Sequence, residues 1–251
     1  MRVLVTRPQP GADRTAARLE AMGYDTVKLP LFESRVTATP RDLPDLTKVD
    51  GILATSARAF SMFGGAGAPP AYRRLAVYAV GPATAEAARN AGFNKIYEGA
   101  GSARDLAARI TGDGIETGVV GGAEIGRLTR PLYLAGQPRR AVIEEALDAA
   151  RMRYTVLECY RLDEISYTTD YLETRVLTLP FDAVLFYSAN AATRFSGLMT
   201  AKTPGEAMVS ARFGCLSAEV AAALPSAWRR RAFVAAHPDE ASLLASLGQL
   251  G

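Results

Sequence analysis

A chain of 251 residues with 49% hydrophobic content can bury one large core or two modest ones, and is too apolar to remain disordered. Its net charge of +3, from 29 basic and 26 acidic residues, provides no concentrated basic surface of the kind that bulk nucleic-acid binding needs. Two cysteines and one histidine exclude a disulfide framework and a Cys/His metal cluster. No apolar run approaches the ~18–20 residues that span a bilayer.

The opening "MRVLVTRP" carries one basic residue before a short apolar run, so it reads as a first strand rather than a signal peptide, and a cytoplasmic location is expected. Residues 11–22 follow as an Ala-rich helix, which "GYDTV" closes with glycine at the position after the C-cap. "LFESRVTATPRD" (31–42) is a polar linker with scattered β-formers. "GILAT" is a strand that stops at Thr55-Ser56 and runs into a helix, and "AVYAV" leads to a helix over 82–91 closed by "GFNKI". In the second half, "YRLDEISYTTD" (160–170) is a further linker, and "AVLFY" runs into a helix at Ser188. These strands are apolar almost throughout, as in a parallel sheet covered on both faces.

The chain is written twice. "VLVTRPQPGADRTAARLEAMGYDTVKLP" (3–30) aligns with "LYLAGQPRRAVIEEALDAARMRYTVLEC" (132–159) at an offset of 129, Val3 on Leu132. "VDGILATSARAFSMF" (49–63) meets "FDAVLFYSANAATRF" (181–195) at 132, and "VYAVGPATAEAA" (77–88) meets "FGCLSAEVAAAL" (213–224) at 136. "SARDLAARI" (102–110) meets "EASLLASLG" (240–248) at 138. The expected fold class is α/β: two similar doubly wound parallel-sheet domains, an internal duplication, joined by the two linkers paired as an antiparallel, two-stranded hinge. Two contiguous halves and a swapped partition, with residues 1–36 and 162–251 around an inserted 37–161, fit the repeats equally well.

Familiar α/β sites are missing. "GGAEIGRL" (121–128) lacks the lysine and following hydroxyl of a phosphate-binding P-loop, and "GGAGAPP" (64–70) reads as a surface loop. No GxGxxG joins a first strand to its helix, so no dinucleotide cofactor is expected. His237 reads as a turn residue before the last helix, Cys159 and Cys215 as buried strand residues, and "WRRR" (228–231) as a solvated helix end or strand lead-in.

Four strand-to-helix junctions remain: Thr6-Arg7, Thr55-Ser56, Gly81-Pro82-Ala83-Thr84 and Ser188-Ala189-Asn190. Helix N-termini and hydroxyls at the carboxyl ends of strands suit anions, and Arg7, Arg58 or Arg139 would add charge. Each hydroxyl taken alone is more simply read as an N-cap; it is their recurrence in both copies that points to an anion site.

The ordered set "VLVTRP", "DGILATSARAF", "YAVGPATAEAARNAG", "VLECY" and "DAVLFYSANAATRF" resembles uroporphyrinogen-III synthase along nearly the whole chain. The resemblance implies the swapped partition, a site in the cleft between the domains, and hydroxymethylbilane as substrate, a linear tetrapyrrole with eight carboxylates. It implies cyclisation with inversion of the last ring and no metal or organic cofactor. Tyr160 matches the family's cleft tyrosine, proposed to assist the departing hydroxyl, and reads equally as a strand-end tyrosine that only packs at the hinge; phenols titrate near 10, so the implied help is a hydrogen bond more than full proton transfer. Ser56, Thr84 and Ser188 match positions that hold substrate carboxylates, with Arg7 and Asn190 beside them. A monomer is expected, with transient contact with the enzyme that supplies the substrate. Ser217, Glu219 and Val220 depart from the expected second "GPTTA"-like turn, and Asn190 stands where a serine-type residue is common. A non-catalytic tetrapyrrole- or polyanion-binding module, or a clamshell sensor for a small acid, is therefore the rival expectation.

Overall fold

Strand and helix alternate as the apolar runs predict. In a computed structural model, which describes residues 1–111, 119–120, 123–124, 128–200 and 205–249, the chain begins with β1 (Arg2–Val5), α1 (Gly11–Ala21), β2 (Asp25–Lys28) and β3 (Phe32–Val36). There follow β4 (Gly51–Ala54), β5 (Ala76–Ala79), α2 (Pro82–Asn90), β6 (Lys95–Glu98), α3 (Ala103–Thr111), β7 (Val119–Val120) and β8 (Ala123–Glu124). Next come β9 (Pro131–Gln137), α4 (Val142–Ala149), β10 (Thr155–Glu164), α5 (Thr169–Tyr171), β11 (Ala183–Phe186) and α6 (Ala189–Thr200). The last elements are β12 (Arg212–Cys215), α7 (Ala218–Ala222), α8 (Ser226–Arg229), β13 (Ala232–Val234) and α9 (Glu240–Gly248). Most of "GGAEIGRL" lies outside the described residues.

Contacts divide the chain into two units, Met1–Glu33 with Asp163–Gly251 and Ser34–Leu162. In the first unit, five strands stand in the order β13-β12-β11-β1-β2, every neighbour parallel. In the second, the order is β3-β10-β9-β4-β5-β6, with β10 through β6 parallel. β3 and β10 each carry the chain across the boundary between the units. They run antiparallel, since Ile165 N–H donates to the Leu31 carbonyl while Thr37 N–H donates to that of Cys159. The expected fold class is thus the observed one.

Central strands are buried on both faces, which explains their unbroken apolar runs. In the first unit, Leu4, Val184, Phe186 and Phe213 face one core, and Val3, Val5, Ala183 and Leu185 face the other. In the second, Ile52, Ala54, Leu132 and Leu134 oppose Leu53, Tyr78, Tyr133 and Ala135 across the sheet. The outer strands β2 and β6 are only half-buried, matching their charged ends.

α1 and α2 stop where Gly23 and Gly92 adopt the left-handed conformation, φ 85° and 91°, as the "GYDTV" and "GFNKI" runs predict. After β4 the chain winds as a 3₁₀ helix, Ala57–Ala66, rather than an α-helix; Gly64 breaks it with φ 53° in the glycine-rich run. Arg229 and Arg231 of "WRRR" are structural: Arg229 donates to the Ala222 and Leu224 carbonyls, Arg231 to those of Met208, Val209 and Ala211.

The duplication is written into the hydrogen bonds, and it corrects two alignment registers by one residue. Arg2 N–H donates to Asp182 and its guanidinium to the Leu179 carbonyl; Arg130 N–H donates to Asp50 and its guanidinium to that of Thr47. Arg130 therefore takes the place of Arg2, an offset of 128 where the residue types alone align at 129. Gly23 and Arg151, both at positive φ, and the cis bonds Gln9–Pro10 and Gln137–Pro138 repeat at the same 128. Near the end of each copy, Ser102 accepts from Asp105 N–H and Asp239 from Ser242 N–H, so α3 and α9 align at 137 rather than 138. Alanine-rich helices slide by one residue at little cost in similarity; caps and turns do not. Each unit mixes the copies, β1 and β2 lying beside β11–β13, and β9 and β10 beside β4–β6.

Candidate functional site

In an open parallel sheet, ligands bind beyond the carboxyl ends of the strands, where the connections part to opposite faces. In the second unit that point lies between β9 and β4. A pocket of about 360 Å³ opens there, lined among others by Thr55, Ala103, Arg104, Tyr133, Arg139 and Tyr160. Tyr133, on β9, shares a hydrogen bond with Thr55 (3.1 Å between oxygens), and burial first of all raises its phenol above the ordinary value. Tyr160 is half-buried on β10, paired with Gly136 of β9. A β-carbon at position 136 would stand 2.2 Å from Tyr160 Cζ, so only glycine leaves room for the ring.

Arg139, beyond the end of β9, donates to Glu158 (2.7 Å) and Glu144 (2.6 Å), which hold its guanidinium more firmly charged. A second oxygen of Glu144 is buried without a hydrogen-bond partner among the described residues. Arg104, in the first turn of α3, is exposed at the pocket and forms no ion pair among the described residues. Sequence reasoning missed Tyr133 and Arg104. The usable signals were the inward tyrosine on an apolar strand and a basic residue one step inside a Ser-capped helix.

The hydroxyl positions divide. Ser56, half-buried, accepts from Arg58 N–H (3.3 Å), and exposed Ser188 accepts from Ala191 N–H (3.2 Å), so both serve as helix caps. Thr84 does not cap: Gly81 holds the N-cap of α2, while Thr84 is 4% exposed and its hydroxyl has no partner among the described residues. Such a group offers a ligand a donor without giving up an internal bond. Thr84→Ala is accordingly expected to shift folding stability by less than about 1 kcal/mol. The same change is expected to raise KM about tenfold or more, as loss of one hydrogen bond to a charged group would. Thermal melts and steady-state kinetics on one preparation check both.

In the first unit the corresponding point lies between β1 and β11, and it is filled. Thr6 donates to the Leu185 carbonyl (2.7 Å). Arg7 donates to Glu240 (2.8 Å) and lies over the Tyr187 ring, 4.3 Å from its centroid. Glu240 also accepts from Thr15, Arg18 and the Tyr187 hydroxyl. Burial alone would raise the Glu240 carboxyl, but Thr15, Arg7 and Arg18 outweigh it and hold it below its ordinary 4.5; burial pushes Tyr187 up to about 12. Asn190 is exposed in the first turn of α6. Ser217 caps α7, and Glu219 is exposed in its first turn, where a carboxylate suits the helix dipole.

A carboxyl with a depressed native pKa stabilises the fold fully above its unfolded value, and that contribution is lost as pH falls through the native value. The first unit is therefore expected to lose melting temperature below pH 4.5 partly through Glu240, and Glu240→Gln flattens that part of the curve. Melts followed by Trp228 fluorescence between about pH 2 and pH 6 check this.

Cys159 and Cys215 are buried strand residues, their thiols raised by burial to about 12, and His237 stands in the turn before α9. Among the described residues no group of His, Cys, Asp and Glu fits a metal ion, and no helix is long and apolar enough to cross a membrane.

The sheets and the pocket at the strand ends define a doubly wound α/β protein with a pocket at a topological switch point, where such folds take their ligands. The model of the family Uroporphyrinogen-III synthase HemD matches residues 13–245, and the chain belongs to this family, whose work is tetrapyrrole biosynthesis. Among solved structures, the chain resembles uroporphyrinogen-III synthetase from Helicobacter pylori, with 16% identity, 100% of both chains covered and a TM-score of 0.65. It also resembles a mutant uroporphyrinogen III synthase from the extremely thermophilic bacterium Thermus thermophilus, with 18% identity, 99% of this chain and 98% of that one covered, and a TM-score of 0.61. Both are likenesses of fold. No curated protein matches the chain.

Proposed function

We propose that the protein cyclises hydroxymethylbilane to uroporphyrinogen III. The observation that carries this reading is the family match over residues 13–245, together with a pocket at the β9–β4 strand ends bordered by Tyr160 and hydroxyl groups. In the reaction, the ring A hydroxymethyl C–O bond breaks and its oxygen leaves as water once protonated, giving an electrophilic azafulvene. Ring D attacks through its already substituted carbon, forming a spiro intermediate. That intermediate breaks one C–C bond and recloses with ring D turned over, and a proton is released as the pyrrole is restored. The free substrate closes unaided to the uninverted isomer, so the protein's task is to hold the chain for the harder attack.

Tyr160 is proposed to hydrogen-bond the departing hydroxyl, its ring fixed over Gly136. Thr84, Ser56, Ser188 and Asn190 are proposed to hold substrate carboxylates through hydroxyl, amide and helix N-terminal donors. Arg7 is left out, because Glu240 already neutralises it.

The test generates hydroxymethylbilane in situ, adds the protein, oxidises the products and separates type I from type III uroporphyrin. Mostly type III is expected. Type I alone, at the rate without protein, overturns the catalytic reading; binding of uroporphyrin III in that case leaves a non-catalytic tetrapyrrole-binding paralogue.

A further inference from the structure

The corrected repeat registers allow the two switch points to be compared position by position. At an offset of 128, Arg7 corresponds to Ala135 and Thr15 to Ile143. At 132, Tyr187 corresponds to Thr55; at 137, Glu240 corresponds to Ala103. Every member of the charged cluster that closes the first unit's site is thus smaller or apolar in the second. The second unit's pocket, lined by Thr55, Ala103 and Ile143 from this same set, remains open at about 360 Å³. Conversely, Gly11, where a β-carbon would stand 2.5 Å from Arg7 Nε, is replaced by Arg139, which lines the open pocket.

We propose that the two copies of one ancestral carboxylate seat have parted: the second unit's holds a substrate carboxylate against Arg104, while the first unit's is permanently occupied by its own Glu240. In the first unit the chain itself displays what the seat binds. The Glu240 carboxylate accepts from a guanidinium, a threonine hydroxyl and a phenol. The second unit presents the same three chemistries to an empty space, with Arg104, Thr55 and Tyr133. Its volume is at the lower end for small-molecule pockets, enough for an acidic side chain and part of the ring that bears it. Arg139 and its two carboxylate partners fix one wall.

This inference rests on the proposed tetrapyrrole substrate, and the test separates the two. Ala103→Glu places in the second unit the acid that Glu240 supplies in the first. It is expected to raise KM for hydroxymethylbilane, and Kd for uroporphyrin III by fluorescence titration, at least about tenfold with melting temperature kept. Arg104→Ala, at an exposed position that does not threaten folding, is expected to raise KM about five- to tenfold with kcat nearly unchanged, and Arg104→Lys to restore part of it. The paired change Arg7→Met with Glu240→Gln, which removes both charges, is expected to leave KM within about twofold. Normal KM in folded Ala103→Glu or in Arg104→Ala, or a tenfold rise in the Arg7/Glu240 pair, overturns the parting of the two seats while the type III product still stands. An unmodified protein that neither yields type III nor binds uroporphyrin III overturns both readings.

Discussion

Gly136→Ala is expected to cost about a hundredfold in the rate of type III formation, the lower end of the range for losing one preorganised donor. The added methyl would stand 2.2 Å from Cζ and 2.4 Å from Oη of Tyr160. Strand pairing fixes both backbones, Gly136 against Tyr160, so the ring must swing away. Overpacking of this kind also destabilises by about 1–3 kcal/mol. Tyr160→Phe is the companion: it keeps the ring and the packing, removes only the hydroxyl, and is expected to lower kcat with stability unchanged. If Gly136→Ala folds and makes type III at the normal rate, the place of the Tyr160 ring has no bearing on the chemistry. The isomer assay with a melt on each variant decides this.

Phe213→Ala is expected to destabilise the first unit by about 3–5 kcal/mol. The ring is fully buried, stacks on Trp228 at 4.8 Å and 12°, and lies 6.4 Å from Phe186. No smaller side chain fills that space between two aromatic rings. Trp228 is the sole tryptophan of the chain, so its fluorescence reports on the first unit alone. Urea unfolding followed at Trp228 is expected to move to lower denaturant, while circular dichroism retains a later component from the second unit. A single unshifted transition by both probes would contradict the place given to Phe213 in the core.

Much of this architecture is legible in residue order. Unbroken apolar runs give covered parallel strands, glycines at 23 and 92 stop their helices, and repeat spacing gives the duplication. The one-residue registers were not legible, because Val, Leu and Ala repeats look alike when slid. The Arg2–Asp182 and Arg130–Asp50 clasps pin the first register, and the Ser102 and Asp239 caps pin the second. The site was half legible. Hydroxyls at strand ends announce themselves by position, and Tyr160 by its surrounding "VLECY". Which of those hydroxyls is spent on a cap depends on backbone geometry: Ser56 and Ser188 are, whereas Thr84 is not. The pairing of Arg7 with Glu240, 233 residues apart, is invisible to any local pattern.

The interleaving of the two copies also sets an order of events when the polypeptide is made. Every strand of the second unit has emerged once β10 is complete, so that unit can close early. β1 is different. Its neighbour β11 lies 180 residues downstream, and Val3, Leu4 and Val5 have no solvent exposure in the finished fold. At about 5–20 residues per second, the stretch from the end of β10 to the end of β13 adds roughly 4–14 seconds. Throughout that interval the amino-terminal β1–α1–β2 piece hangs from a folded neighbour with an unsatisfied sheet edge. The first unit is therefore the slower and more aggregation-exposed one at birth, and substitutions that add apolar surface to α1 or β2 should lower the yield of soluble protein before they alter the finished molecule.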